Sequence, residues 1–197
     1  MKNLFIFAPT VMQNEKMTTD RSLMRRYAML LGTYMGVFWI LKFALFPIGM
    51  RGSSFLLLLF LVLTCVVPFM GYKYAKLYRD QACGGGIGFG RACWFLVQMY
   101  LFASLLTAVA HYIYFAFIDR GAMVDMLSAS WELTLESGAP GVGIYADAME
   151  EALTELRALS AVDIMFQLLC QNVFFCIVLS VITALAVKRD KIGNEEK

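Results

Sequence analysis

Histidine occurs once in this chain, at position 111, and that scarcity disfavours most familiar hydrolytic and metal chemistry. A Ser/His/Asp set would have to be built around His111. Zinc sites need cysteines and histidines clustered at short spacing, and none of the five cysteines falls in such a pattern. No catalytic set, metal site or cofactor is therefore expected, and the chain does not read as an enzyme. Cys65, Cys93, Cys170 and Cys176 lie in or beside apolar runs and Cys83 in a connection, so all five read as small buried hydrophobes with free thiols.

Charge is sparse as well. Charged residues make up 16% of the chain and apolar ones 60%, against about 25% and about 45–50% in soluble domains. The mean hydropathy is +0.66. A net charge of +2 is too small to suggest nucleic acid, and no basic stretch shows aromatic interleaving.

What is present is long and apolar. Four runs, 27–48, 55–72, 92–118 and 164–187, reach or approach the ~20 residues that cross a hydrocarbon core. None holds Asp or Glu, and Lys42 is their one formal charge. A chain of 197 residues could not cover four such helices with polar surface. The expected fold is all-α: an integral membrane four-helix bundle whose constant partner is the lipid bilayer. A proton-coupled pump is disfavoured, because it would load its proton on an intramembrane carboxylate.

The domain reading is a cytoplasmic N-terminal segment at 1–26, a transmembrane domain at 27–189 with an outward loop at 119–163, and a cytoplasmic tail at 190–197. The apolar stretch Leu4-Phe5-Ile6-Phe7-Ala8 is shorter than the usual signal-peptide core of about 7–15 residues, so the N-terminal segment reads as uncleaved; Met17 is a second plausible start. Orientation follows the cations. Lys2, Lys16, Arg21, Arg25 and Arg26 precede the first run; Lys73, Lys76, Arg79 and Arg91 separate the second and third; Lys188, Arg189, Lys191 and Lys197 follow the fourth. Segment 119–163 has only Arg120 and Arg157 among many carboxylates. Both termini are therefore expected in the cytoplasm.

Local signals refine the runs. Pro47-Ile48-Gly49 should stop the first helix, and Pro68 should kink or shorten the second. The spacing of Lys73, Lys76 and Arg79 predicts a basic helical face toward anionic lipid. Gly32 and Gly36 form a GxxxG that permits close helix packing. In the loop, 122–136 and 144–159 carry helical amphipathic patterns separated by Ser137-Gly138-Ala139-Pro140-Gly141. These two helices could cap the bundle or lie on the membrane.

Polar residues inside the runs are the remaining clue. Tyr100, Ser104, Thr107, His111 and Tyr114 share one side of the third, and Asp163, Gln167 and Gln171 one side of the start of the fourth. Interhelical hydrogen bonding is favoured over a polar cavity. Lys42, His111, Asp163, Gln167 and Gln171 form the candidate polar cluster, the first four at similar depth. Lys42 should either pair with Asp163 or another outer carboxylate, or snorkel to the interface.

The glycine-rich stretch 84–90 is no phosphate loop, since no Gly-Lys-Ser/Thr follows it. Tyr72-Lys73-Tyr74, Tyr78-Arg79-Asp80 and Gly85-Gly86-Ile87-Gly88-Phe89-Gly90-Arg91-Ala92, with Tyr112-Ile113-Tyr114 and Phe117-Ile118-Asp119, resemble the pattern of the bacterial membrane family called domain of unknown function 4199. The resemblance covers 27–189. It implies a four-helix inner-membrane protein of Gram-negative bacteria and transfers no activity and no site residue. Two functional classes stay open. One is a structural or accessory protein that binds itself or another membrane protein. The other is a subunit of an oligomeric small-solute transport or channel assembly.

Overall fold

The computed structural model describes residues 7–138 and 140–189, with side chains from Asp20 onward. The first six residues, Ala139 and the expected tail 190–197 lie outside the described residues. The described chain is all-α: α1 (Phe7–Met50), α2 (Ser54–Ala82), α3 (Phe89–Ile113) continued by a π-helical turn (Tyr114–Asp119), α4 (Ala122–Glu136), a 3-10 turn (Val142–Tyr145), α5 (Ala146–Ala158) and α6 (Ala161–Val187). Four of these are long and apolar enough to cross a membrane: Asp20–Met50, Ser54–Ala82, Phe89–Asp119 and Ala161–Val187.

The Pro47-Ile48-Gly49 signal marks the end of α1 as expected, whereas Pro68 does not shorten α2. Helix α1 passes Pro47 and ends at Met50, and α2 runs through Pro68 as far as Ala82. Proline removes one backbone donor, but hydrocarbon offers the freed groups no water to turn to, so continuing the helix remains the best solution.

The chain divides into two compact units. The first comprises the residues up to Gly36, Cys65–Ala103, and those from Val173; the second comprises Val37–Thr64 and Ser104–Asn172. In the first, close packing rests on glycine. A Cβ on Gly32 of α1 would lie 2.6 Å from the Met99 carbonyl oxygen and 2.9 Å from the Phe102 Cβ of α3. Gly36 is buried too. Tyr78 of α2 stacks on Phe95 of α3, with ring centroids 4.2 Å apart.

A polar knot ties the helix ends of this unit. Arg79 was expected on a lipid-facing basic surface; the structure corrects this, since Arg79 is only 7% exposed. Its Nη1 donates to the Val187 carbonyl at 3.2 Å and its Nε to Asp80 at 2.8 Å. The end of α6 leaves carbonyls without helical partners, and that need draws the guanidinium inward. Lys73 and Lys76 remain exposed. Arg91 donates to Asp20 of α1, and to the Tyr78 hydroxyl at 3.3 and 3.4 Å. Gly84 and Gly85 take positive φ of 66° and 84°, which suits glycine at a helix end. Ile87 and Arg189 then exchange two backbone hydrogen bonds, at 2.8 and 3.0 Å.

In the second unit, α1 and α2 form a tight hairpin, and a Cβ on Gly49 would lie 2.9 Å from the Leu57 side chain. Helix α4 has the bounds expected from its pattern. Helix α5 begins two residues later than expected, because 142–145 form a 3-10 turn. Arg157 of α5 donates to the Ser128 hydroxyl of α4 at 3.0 Å and lies 3.7 Å from Asp125. With Leu153 buried, these contacts pair α4 with α5.

Candidate functional site

The second unit holds a cavity of about 670 Å³. Two local devices shape it. At the end of α3 the π-helical turn delivers Asp119 into the interior at 5% exposure. Its Oδ1 accepts from the Tyr114 hydroxyl at 3.0 Å and the Met123 N–H at 3.1 Å, and its Oδ2 from the Gly121 N–H at 3.2 Å. The carboxylate thereby serves N–H groups at the start of α4, which have no helical partner of their own. Arg120 (φ 47°) and Gly121 (φ 93°) turn the chain between the two helices.

The second device is at the start of α6. The Ser160 N–H and hydroxyl donate to Asp163 Oδ2 at 3.0 and 2.6 Å, and the Asp163 N–H donates to the Ser160 hydroxyl at 3.3 Å. This reciprocal arrangement is a capping box. It anchors α6 so that Gln167 and Gln171, one turn apart, both reach the cavity wall.

The lining is mainly apolar, led by Phe43, Phe46 and Phe115 with side chains from α4, α5 and α6. Its polar members are Asp119, Arg120, Asp125, Arg157, Gln167 and Gln171. A volume of this size, apolar with a few polar groups, is that of a small-molecule site, for which about 300–1,000 Å³ is usual. The helix pair α4–α5 contributes to the lining together with the ends of the long helices.

The residues of the candidate cluster occupy distinct places. Gln167 and Gln171 face the cavity, and Asp163 is engaged by Ser160. The Lys42 ammonium lies over the Phe60 ring, 5.1 Å from its centroid, a distance suited to a cation–π contact. His111 is 5% exposed and meets the Phe43 ring edge-on at 4.2 Å. Its Nδ1 and the Ser104 hydroxyl are buried without a hydrogen-bond partner among the described residues. Phe43 is thus the link between His111 and the cavity, since it touches both. Among the described residues no three His, Cys, Asp or Glu side chains converge as metal ligands would.

Sequence reasoning missed Arg120 and Arg157 as site residues. The signal was available: they are the only cations in an otherwise acidic loop. The aromatic wall had no such signal, because Phe43, Phe46 and Phe115 look like any other residues of an apolar span.

Comparison with known proteins adds one positive finding. The model of a family described as "Protein of unknown function (DUF4199)" matches residues 30–189. No curated protein and no solved structure matches the chain.

Proposed function

This chain belongs to the family of unknown function DUF4199, and from its own residues we propose that it is an accessory, non-catalytic protein of the bacterial cytoplasmic membrane that works by holding a ligand in the cavity beneath α4 and α5. The observation that carries this reading is the cavity itself, about 670 Å³ with an aromatic wall and a small set of polar groups. The cleft opens beside the exposed Asp125 and Arg157, and a concave, mostly apolar site of this size with a few polar groups is the form that small-molecule sites take. The single histidine is buried against Phe43, which supports a binding role over a hydrolytic one.

The cation distribution supports N-in, C-in topology, with α4 and α5 on the outer side. The bilayer is then the first partner. Contact with a second copy or another membrane protein would use lipid-facing surface other than Gly32, which is already engaged with Met99 within the chain.

The test is a cavity-filling variant. Leu168→Trp puts an indole into a wall position, and native mass spectrometry of the detergent-purified protein reads co-purifying lipid-sized adducts. The parent should carry a stoichiometric adduct and the variant should lose it while keeping its helical circular dichroism. Equal adducts on a folded variant would remove the reading.

A second reading, a subunit of an oligomeric transport or channel assembly, has one observation in its favour. Ser104 and His111 are buried in the third span with polar atoms that have no partner among the described residues, and Thr107 is buried between them in sequence. Solute flux in liposomes that disappears with Ser104→Val would favour it over the accessory role.

A further inference from the structure

We propose that the occupant of the cavity is an acyl amphiphile with an oxyanionic head group, its head held by Arg120 and Arg157 and its chain laid against Phe43, Phe46 and Phe115. This rests on the reading of the cavity as a ligand site and names the ligand's chemical class.

The charge arrangement selects the head group. Of the two carboxylates in the lining, Asp119 is occupied by three donors from its own chain. Asp125 already faces Arg157 at 3.7 Å, an exposed pair of the kind that holds only weakly. The two carboxylates and two guanidiniums of the lining balance in formal charge, but the guanidinium N–H donors are the groups with capacity to spare. The Arg120 side chain has no hydrogen-bonding or ionic partner among the described residues. It is also the one non-glycine residue among them with positive φ, 47°. Arg120 ends the π-helical turn in the left-handed conformation, and its exposed guanidinium stands at the rim of the cavity. Guanidinium groups bind phosphate and carboxylate oxygens in two-point geometry.

The wall below the arginines selects the rest of the molecule. Gln167 and Gln171 belong to a candidate span, and their side chains make no hydrogen bond among the described residues. Both are exposed on the face that lines the cavity, and a spanning helix offers such amides few partners other than a ligand. At about 1.5 Å per residue they lie about 6 and about 12 Å along α6 from Asp163. That is the depth at which an acyl amphiphile carries its carbonyl oxygens beneath a charged head, and an amide N–H is the donor such oxygens need. The aromatic wall then receives the chain. A free small anion would leave that wall empty, and a plain hydrocarbon would leave both amides and Arg120 unanswered.

Two sources share this chemistry, an anionic phospholipid and a free fatty acid, and the experiment separates them. Full-length protein, stripped of lipid in a neutral detergent, is titrated with phosphatidylglycerol, phosphatidylcholine and oleate, and bound adducts are counted by native mass spectrometry. The parent should retain phosphatidylglycerol, oleate or both at least about tenfold more tightly than phosphatidylcholine, the factor expected for one charge-assisted hydrogen bond. Whichever of the two binds identifies the source. The double variant Arg120→Gln/Arg157→Gln should bring the anionic ligand to parity with phosphatidylcholine. Lys73→Gln/Lys76→Gln, which removes exposed cations of α2, should leave the preference unchanged. Parity in the parent, or a preference that survives loss of both arginines, overturns the anionic assignment. If Leu168→Trp still abolishes binding of every lipid, the cavity reading survives that failure. If folded Leu168→Trp binds as the parent does, the cavity reading and this inference fall together. Should that variant not fold, Ile164→Phe, a smaller filling of the same wall, takes its place and is read in the same way.

Discussion

Alanine at position 32 turns the packing of the first unit into a test of sign. At an open helical site, Gly→Ala stabilises a helix by about 0.8–1.0 kcal/mol. At Gly32 the new Cβ would stand 2.6 Å from the Met99 carbonyl oxygen, where ordinary contact begins near 3.4 Å. The neighbour would have to yield by about 0.8 Å. That neighbour is backbone, and a second atom, the Phe102 Cβ, sits at 2.9 Å, so rotating a side chain cannot relieve the overlap. Overpacking costs about 1–3 kcal/mol, and a rigid backbone obstacle belongs toward the upper end. The net effect should be a loss of about 1–2 kcal/mol after the helix gain is subtracted. Gly32→Leu should lose more. The contrast is Gly71, where a Cβ would meet the Tyr100 hydroxyl. Gly71→Ala should be partly rescued by Tyr100→Phe, whereas no side-chain deletion on α3 rescues Gly32→Ala. Reversible unfolding in mixed detergent, followed by circular dichroism, reads both. A Gly32→Ala protein at least as stable as the parent would show that α1 and α3 do not approach as described.

Arg79→Met should destabilise the protein by about 1–3 kcal/mol, the cost of leaving a buried acceptor unpaired, while Lys76→Met, on the exposed face, should change stability by less than about 0.5 kcal/mol; equal effects in the same unfolding assay would contradict the buried role of Arg79. A reporter active only in the cytoplasm should work when fused after Lys197 and fail when placed between Gly138 and Gly143; the reverse pattern would invert the proposed topology. None of the five cysteines forms a disulfide, so alkylation of the denatured protein without reductant should add five labels by intact mass, and a missing pair would reveal a disulfide.

How much of this was legible depended on whether the signal was local. The limits of α4 follow from its own amphipathic pattern, and the observed helix, Ala122–Glu136, coincides with the expectation. The Ser160-x-x-Asp163 spacing is likewise local and does mark a helix start. Read only as a charge at the membrane boundary, Asp163 was sought as a partner for Lys42, and the cap went unnoticed. Arg79 shows the opposite case. Helical spacing groups it with Lys73 and Lys76, but spacing cannot say that the end of another helix, with its unpaired carbonyls, lies beside one member of the set. The cavity was out of reach for the same reason. Gln167 and Gln171 could be flagged as polar residues on one face of α6, but the space before them exists only once α4, α5 and three phenylalanines surround it.

The residues behind the family resemblance turn out to be chiefly structural, and this shifts where function should be sought. In the first unit, Arg79 holds the end of α6, Ile87 bridges to Arg189, and Arg91 joins Asp20 to Tyr78. In the second, Tyr114 and Asp119 build the turn into α4. These contacts engage Tyr78, Arg79, Arg91, Tyr114 and Asp119, so that part of the pattern reports how helix ends are tied and leaves the ligand unspecified. The polar groups with capacity to spare are elsewhere: Arg120, Gln167 and Gln171 lack side-chain partners among the described residues, and Arg157, which donates to Ser128, is otherwise held only loosely by Asp125. It follows that Asp119→Ala and Arg120→Gln, adjacent in sequence, should separate in their effects. The first removes the acceptor of two backbone N–H groups and a tyrosine hydroxyl and should lower stability by about 1–3 kcal/mol. The second removes no side-chain hydrogen bond or ion pair among the described residues and should leave stability near that of the parent while reducing retention of an anionic lipid. Matching losses of stability in the two variants would mean that Arg120 belongs to the turn's architecture and not to a binding site.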